Sequence, residues 1–175
     1  DIDKIKWKQD IQNDIEKLEE LLEYSIQVDN NRDKKLQTLK QTIESKIKNP
    51  LNGENKKVII FTAFADTAQY LYDNISLWAK NLGVESCLIT GSGINQSTLF
   101  PKERDLNTLL THFSPISKDR AKIDSTQSKE LDILIATDCI SEGQNLQDCD
   151  FLINYDIHWN PVRIIQRFGR VDRLG

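Results

Sequence analysis

The chain is poor in the residues that usually announce chemistry on their own. It has three cysteines, Cys87, Cys139 and Cys149, and two histidines, His112 and His158. No cysteines stand at C-x-x-C spacing and no histidine pair accompanies them, which argues against zinc and against a disulfide framework. A reducing cytoplasm is the compartment that follows. No apolar run approaches the roughly 20 residues of a membrane span and no signal peptide opens the chain, so no membrane partner is expected. Positive charge is not in surplus either. Lys and Arg number 23 against 27 Asp and Glu, giving −4 overall and a pI near 5.3. That balance argues against a simple basic nucleic-acid binder and leaves room for a local cationic groove. Finally, there is no G-x-x-x-x-G-K-[ST] phosphate loop and no acidic run after a strand of the kind that holds magnesium. A nucleoside triphosphate needs both to react at useful rates. The 175 residues alone are therefore expected not to hydrolyse one.

What is present is ordered along the chain. No Met stands at the start and Asp1 opens in mid-helix pattern, which predicts a piece of a longer protein. Up to about Val28, Ile11, Ile15, Leu18, Leu22 and Ile26 recur at steps of three or four, as one helix requires. Asp29-Asn30-Asn31 breaks it, and Leu36, Leu39, Ile43 and Ile47 repeat the spacing in a second helix. Residues 1–48 are thus read as a helical hairpin packed on a domain, a dimerising coiled coil being the sharper alternative. Residues 49–175 form the globular part. Strands at 57–62, 85–90, 131–137 and 151–155 alternate with helices at 66–81, 101–113 and 161–172 and a short one after 137. Repeated βα units imply an α/β fold, an open, mostly parallel sheet with helices on both faces. Such sheets bind ligands beyond the carboxyl ends of their strands, where Thr62, Gly91, Thr137, Asp138 and Asp156 fall. The Gly91-Ser92-Gly93 stretch reads as a plain turn. Ser114 to Glu130 is long and polar, and its Lys118, Arg120, Lys122 and Lys129 could meet phosphate, although a solvated loop is the favoured reading.

The last stretch, Leu131 to Gly175, organises the rest. Asn160 suits a helix N-cap and Pro161 the first helical position. Ile164, Phe168 and Val171 give the following helix an apolar stripe. Arg163, Gln166, Arg167, Arg170 and Arg173 take the other spacings, so several cationic heads are expected to project together. Trp159 reads as a core or interface aromatic, and the lone histidines as structural. Asp138 and Glu142 form no metal pair, Asp138 being placed to cap a short helix or orient an arginine. No metal is assigned to the chain.

Gln166-Arg167-Phe168-Gly169-Arg170-Val171-Asp172-Arg173 resembles motif VI of the superfamily 2 helicases, Q-R-x-G-R-x-x-R. Ala136-Thr137-Asp138 with Glu142-Gly143-Gln144-Asn145-Leu146 is similar to their motif V, and Lys57–Phe61 ending at Thr62 resembles motif IV. The spacing of Asp156, Trp159-Asn160-Pro161 and Gln166 is similar to that of the SNF-type (Swi/Snf-like) translocases, in particular a bacterial branch that includes RNA-polymerase-recycling ATPases. This resemblance implies a RecA-like C-terminal helicase lobe, cut just after motif VI. It implies arginine fingers at Arg170 and Arg173, with Gln166, Arg167, Gly143 and Asn145 at the nucleotide interface. It further implies a nucleic-acid backbone grip through Thr62, Thr137 and Asp138. ATP and magnesium would be bound mainly by the first RecA-like lobe of the same protein. Double-stranded DNA, and RNA polymerase or another DNA-bound protein, are the implied partners. A non-enzymatic scaffold docking through the N-terminal helices, or an RNA-directed helicase lobe, are the alternatives.

Overall fold

The computed structural model describes residues 3–28, 32–91, 93–123, 128–140 and 144–172. The expected helix break at Asp29-Asn30-Asn31, as well as Ser92, Glu142, Gly143 and Arg173, lies outside the described residues.

The chain divides into two compact units, Asp1–Leu39 and Lys40–Gly175. In the smaller unit, helix α1 (Lys4–Ile26) is capped by Asp3, whose carboxylate accepts from the amides of Ile5 and Lys6 at 3.1 Å. None of its residues is buried. Helix α2 (Lys34–Lys48) begins in one unit and ends in the other. The division between the compact units therefore falls inside α2. Its second half is committed to the larger unit: Ile43 and Ile47 are buried, and the Lys46 ammonium meets Asp150 at 2.7 Å. Asn52 donates to the other oxygen of that carboxylate at 2.9 Å.

The larger unit is built on strands β1 (Val58–Phe61), β2 (Ser86–Ile89), β3 (Gln96–Ser97), β4 (Ile133–Ala136) and β5 (Leu152–Asn154). They hydrogen-bond in the order β3-β2-β4-β1-β5. All pairings are parallel except β2 with β3. Strand β4 lies between β1 and β2, with Leu134 in register with Ile59 on one side and Cys87 on the other. Every residue of β1, β2 and β4 is buried. Strands covered on both faces read as unbroken apolar runs, which is why Val-Ile-Ile-Phe and Ile-Leu-Ile-Ala do not alternate. Helix α3 (Ala65–Asn81) supplies Ala68, Leu71, Ile75 and Ala79 to the core. It stops where Gly83 takes the left-handed conformation, φ +79°.

Three expectations shift. The stretch after Gly93, for which the sequence predicts no strand, carries the two-residue edge strand β3, held by the Ser86 amide donating to Thr98 Oγ1 at 2.8 Å. Helix α4 (Leu106–Phe113) starts later than residue 101, because the Asp105 carboxylate caps it through the Thr108 amide at 2.8 Å. Those Thr108 hydrogen bonds hold the Asp105 carboxyl below its usual range. The segment expected as a loop also contains a single turn, α5 (Arg120–Ile123). Helix α6 (Pro161–Phe168) begins as expected, with Asn160 Oδ1 accepting from the Val162 amide at 3.0 Å. It ends before residue 172 in tighter turns, the amides of Arg170 and Val171 donating to the carbonyls of Arg167 and Phe168.

Candidate functional site

Strand ends and the start of α6 converge at one edge of the sheet. Thr62, immediately after β1, is wholly buried, and its hydroxyl donates to Asp156 Oδ2 at 2.5 Å. Its amide donates to the carbonyl of Ala136, the last residue of β4, at 3.1 Å. Thr137 is buried beside it, bonded through its amide to Ile89 and through its hydroxyl to Cys139 Sγ at 3.4 Å. Gly91, beyond β2, lies against the same turn. A Cβ there would stand 3.2 Å from the Cys139 Cβ, so the close approach favours a residue without one.

Among the described residues, the largest fully buried side chain is a charged one, Arg167. Its Nε donates to Asp138 Oδ1 at 2.6 Å, and its Nη1 donates to Asn154 Oδ1 at 2.9 Å. Its guanidinium lies 5.3 Å from the centre of the Phe61 ring. One side chain thereby joins motif VI to the ends of β1, β4 and β5. The charge has a carboxylate, an amide oxygen and an aromatic face, which makes its burial tolerable. The expectation that Arg167 projects beside its neighbours is corrected by this. Helix α6 turns its arginine inward, while Val162, Ile165 and Phe168 are exposed. Phe168 is thus not part of a buried stripe, whereas Val171 packs against the core.

Gln166 and Arg170 are half-buried on the same segment. Gln166 Oε1, Arg167 Nη2 and Arg170 Nε are each shielded from solvent without a hydrogen-bond partner in the described residues. Three such atoms within five residues mark a surface that is polar, dry and incomplete. The Arg170 carbonyl accepts from the Leu146 amide at 3.1 Å, so motif V and motif VI are tied through their main chains. Asn145 folds back on its own loop, its Oδ1 accepting from the Gln147 amide at 3.3 Å. The structure brings together Thr62, Thr137, Asp138, Arg167 and Arg170. Gly143 and Arg173 stand outside the description. Among the described residues, no three of His, Cys, Asp and Glu gather as metal ligands.

Trp159 is 88% exposed, which overturns its core reading and leaves it as a surface aromatic stacked on His158. His158 Nδ1 accepts from the Asn160 amide at 3.0 Å, and His112 is buried against Phe100. Arg104, just before α4, donates to the Asn95 carbonyl at 2.6 Å. Sequence reasoning missed Asn154 as a partner of Arg167. The available signal was a polar residue closing an apolar strand at the ligand-binding edge.

Residues 34–175 match the family model described as the helicase conserved C-terminal domain. An uncharacterised ATP-dependent helicase, YqhH, of Bacillus subtilis is 54% identical over 46 residues, 26% of this chain and 8% of that protein. A probable ATP-dependent RNA helicase, ddx51, of Dictyostelium discoideum is 32% identical over 85% of this chain and 23% of its own length. A putative ATP-dependent DNA helicase, fml2, of Schizosaccharomyces pombe is 28% identical over 79% of this chain and 16% of its own. The chain thus spans less than a quarter of each of these relatives. Among solved structures, the C-terminal part of the Fun30 ATPase domain superposes with a TM-score of 0.56 over 87% of this chain and 41% of that one. Its identity of 20% makes that a likeness of fold.

Proposed function

The chain belongs to the helicase conserved C-terminal domain family, and from that membership we propose that it is the second RecA-like lobe of an SNF-type motor that hydrolyses ATP and tracks duplex DNA without reading its sequence. The first lobe of the same polypeptide binds most of the ATP and its magnesium. This lobe supplies two arginine fingers, Arg170 and Arg173, to the triphosphate. RNA polymerase or another DNA-bound protein is the partner, in a cytoplasm with which three free thiols are compatible.

The observation that carries this reading is the Arg170 Nε, removed from water yet without a hydrogen-bond partner among the described residues. A guanidinium held with open donors on a dry surface suits an anion whose charge spreads as a phosphoryl group transfers. The planar fork of arginine is worth roughly 10³ to 10⁵ in rate when it reaches such a group from a second domain. At the neighbouring strand ends, Thr62 and Thr137 are buried with their hydroxyls and amides bonded inside the chain. Their part in a backbone grip is therefore to shape the edge that holds a phosphate, a contact that positions without specifying sequence. The tie between Leu146 and Arg170 gives closure on nucleotide a route to shift that grip.

The test uses the full-length protein. Arg170→Ala should lower nucleic-acid-stimulated kcat on the order of 10³-fold, with duplex affinity in the absence of nucleotide unchanged. Arg170→Lys should restore little, since a point charge does not replace a fork. Duplex DNA and duplex RNA are compared as activators, and stimulation by RNA alone redirects the reading to an RNA helicase. A second reading, a docking scaffold, is favoured by α1, which exposes Trp7, Leu18 and Leu22. It replaces the motor if Arg170→Ala leaves turnover intact while deletion of residues 1–47 abolishes partner binding.

A further inference from the structure

The connection between α4 and β4 is fastened to motif V. The Asp148 carboxylate accepts from the Ile116 amide at 2.6 Å, from the Ser117 amide at 2.8 Å and from the Ser117 hydroxyl. The Lys118 amide then closes onto the Ser114 carbonyl and the Arg120 amide onto that of Pro115, while Asp119 takes the left-handed conformation at φ 51°. Three donors on one carboxylate make a built turn of what composition presents as a solvated loop.

That turn has a directed product. Lys118 Nζ lies 2.7 Å from Gln144 Oε1, in the motif V loop and two residues before the amide tied to Arg170. The other cations of the segment with described partners are neutralised by carboxylates: Arg120 pairs with Glu130, and Lys122 with Asp119. Lys118 is half-buried on a neutral amide. An ammonium carries three donors, and this pairing uses one of them. Burial lowers its affinity for a proton.

We propose that Lys118, seated on motif V by the Asp148 clip, is a phosphate contact of the motor site, taking a phosphate of the nucleic-acid backbone or of the nucleotide. The proposal rests on the motor reading above. Asp148 acts through the turn and is a positioning residue.

The test is again made on the full-length protein, with nucleic-acid affinity measured over a series of KCl concentrations without nucleotide, and the KM for ATP measured in parallel. If the phosphate belongs to the polymer, Lys118→Ala lowers the slope of log affinity against log salt by about 0.9 for duplex or about 0.7 for single strand. Lys118→Arg then retains the slope, and Asp148→Ala lowers it partway. If the phosphate belongs to the nucleotide, the slope holds and the KM for ATP rises several-fold. Thermal melting accompanies each variant. A folded Lys118→Ala protein with unchanged slope and unchanged KM overturns the proposal, even if its melting temperature falls, because the lysine then only props the loop. A wild-type protein that neither binds nucleic acid nor turns over ATP overturns the motor reading and this proposal together. A working wild type with a silent Lys118→Ala overturns this proposal alone.

Discussion

Strand β1 enters the sheet at Lys57 and leaves it at Thr62, and a buried cation stands near each end. At the entry, the Lys57 ammonium meets Glu130 at 2.8 Å and the Leu131 carbonyl at 3.1 Å, over the Phe113 ring. Nearby, Lys46 is closed on Asp150. These charges are answered within the chain, and Glu130 keeps part of its surface in water. At the exit, Arg167 is wholly enclosed, and it shares the region with shielded donors and acceptors that remain unanswered. Both ends bury charge, at comparable distances, under the same strand. The difference lies in the charged groups. The entry lysines close on carboxylates, whereas at the exit Arg167 Nη2 and Arg170 Nε have no hydrogen-bond partner among the described residues. What the entry leaves open is neutral, Ser86 Oγ and Ser114 Oγ. Charge burial alone does not mark a site. Charge burial with open valences does.

The comparison breaks most directly at Arg167. Arg167→Met keeps much of the buried volume but removes the charged donor to the Asp138 carboxylate and the Asn154 amide oxygen. It should cost about 3–5 kcal/mol in a urea melt. A loss no larger than that of a surface substitution would show the exit end to be as forgiving as the entry. The companion change, Lys57→Met, releases a Glu130 that is 38% exposed and returns readily to water. It should stay within about 1 kcal/mol of wild type.

A finer test lies in pH. Asp132, next to the entry end, accepts from the Glu85 amide at 3.1 Å, and its burial raises its carboxyl above the ordinary range. The folded chain thus holds this proton more tightly than the unfolded one. That favours folding below pH about 4, and the contribution is lost as pH rises through the raised value. Asp132→Asn should remove that component, so the stability difference between variant and wild type should grow in the variant's favour with rising pH. A pH-independent difference would show that the carboxyl is not perturbed.

The sheet was legible because its strands are short apolar runs with polar ends, and such runs have few other uses in a chain with no membrane-length segment. The site edge was legible as well, since topology alone puts Thr62, Thr137 and Asp156 together. What the sequence concealed were partners across chain distance. Nothing in Gln-Arg-Phe-Gly-Arg distinguishes an inward arginine from an outward one, as the choice depends on Asp138, in the turn after β4, and on Asn154, at the end of β5. The same holds for the segment after α4. Its composition is that of a solvated loop, and only Asp148, on the far side of β4, gives it a shape. Edge strand β3 escaped because it has two polar residues and thus no periodicity to read.

The tie between Leu146 and Arg170 has a consequence for inheritance. It is made by a peptide amide and a peptide carbonyl, and neither side chain takes part. Relatives can therefore replace both residues and keep the joint, and alanine at either position leaves its amide and carbonyl in place. Only a substitution that removes the amide hydrogen itself, as proline does, touches it. The mechanical seam of this lobe is written in the shape of the chain, where selection on residue identity does not reach it.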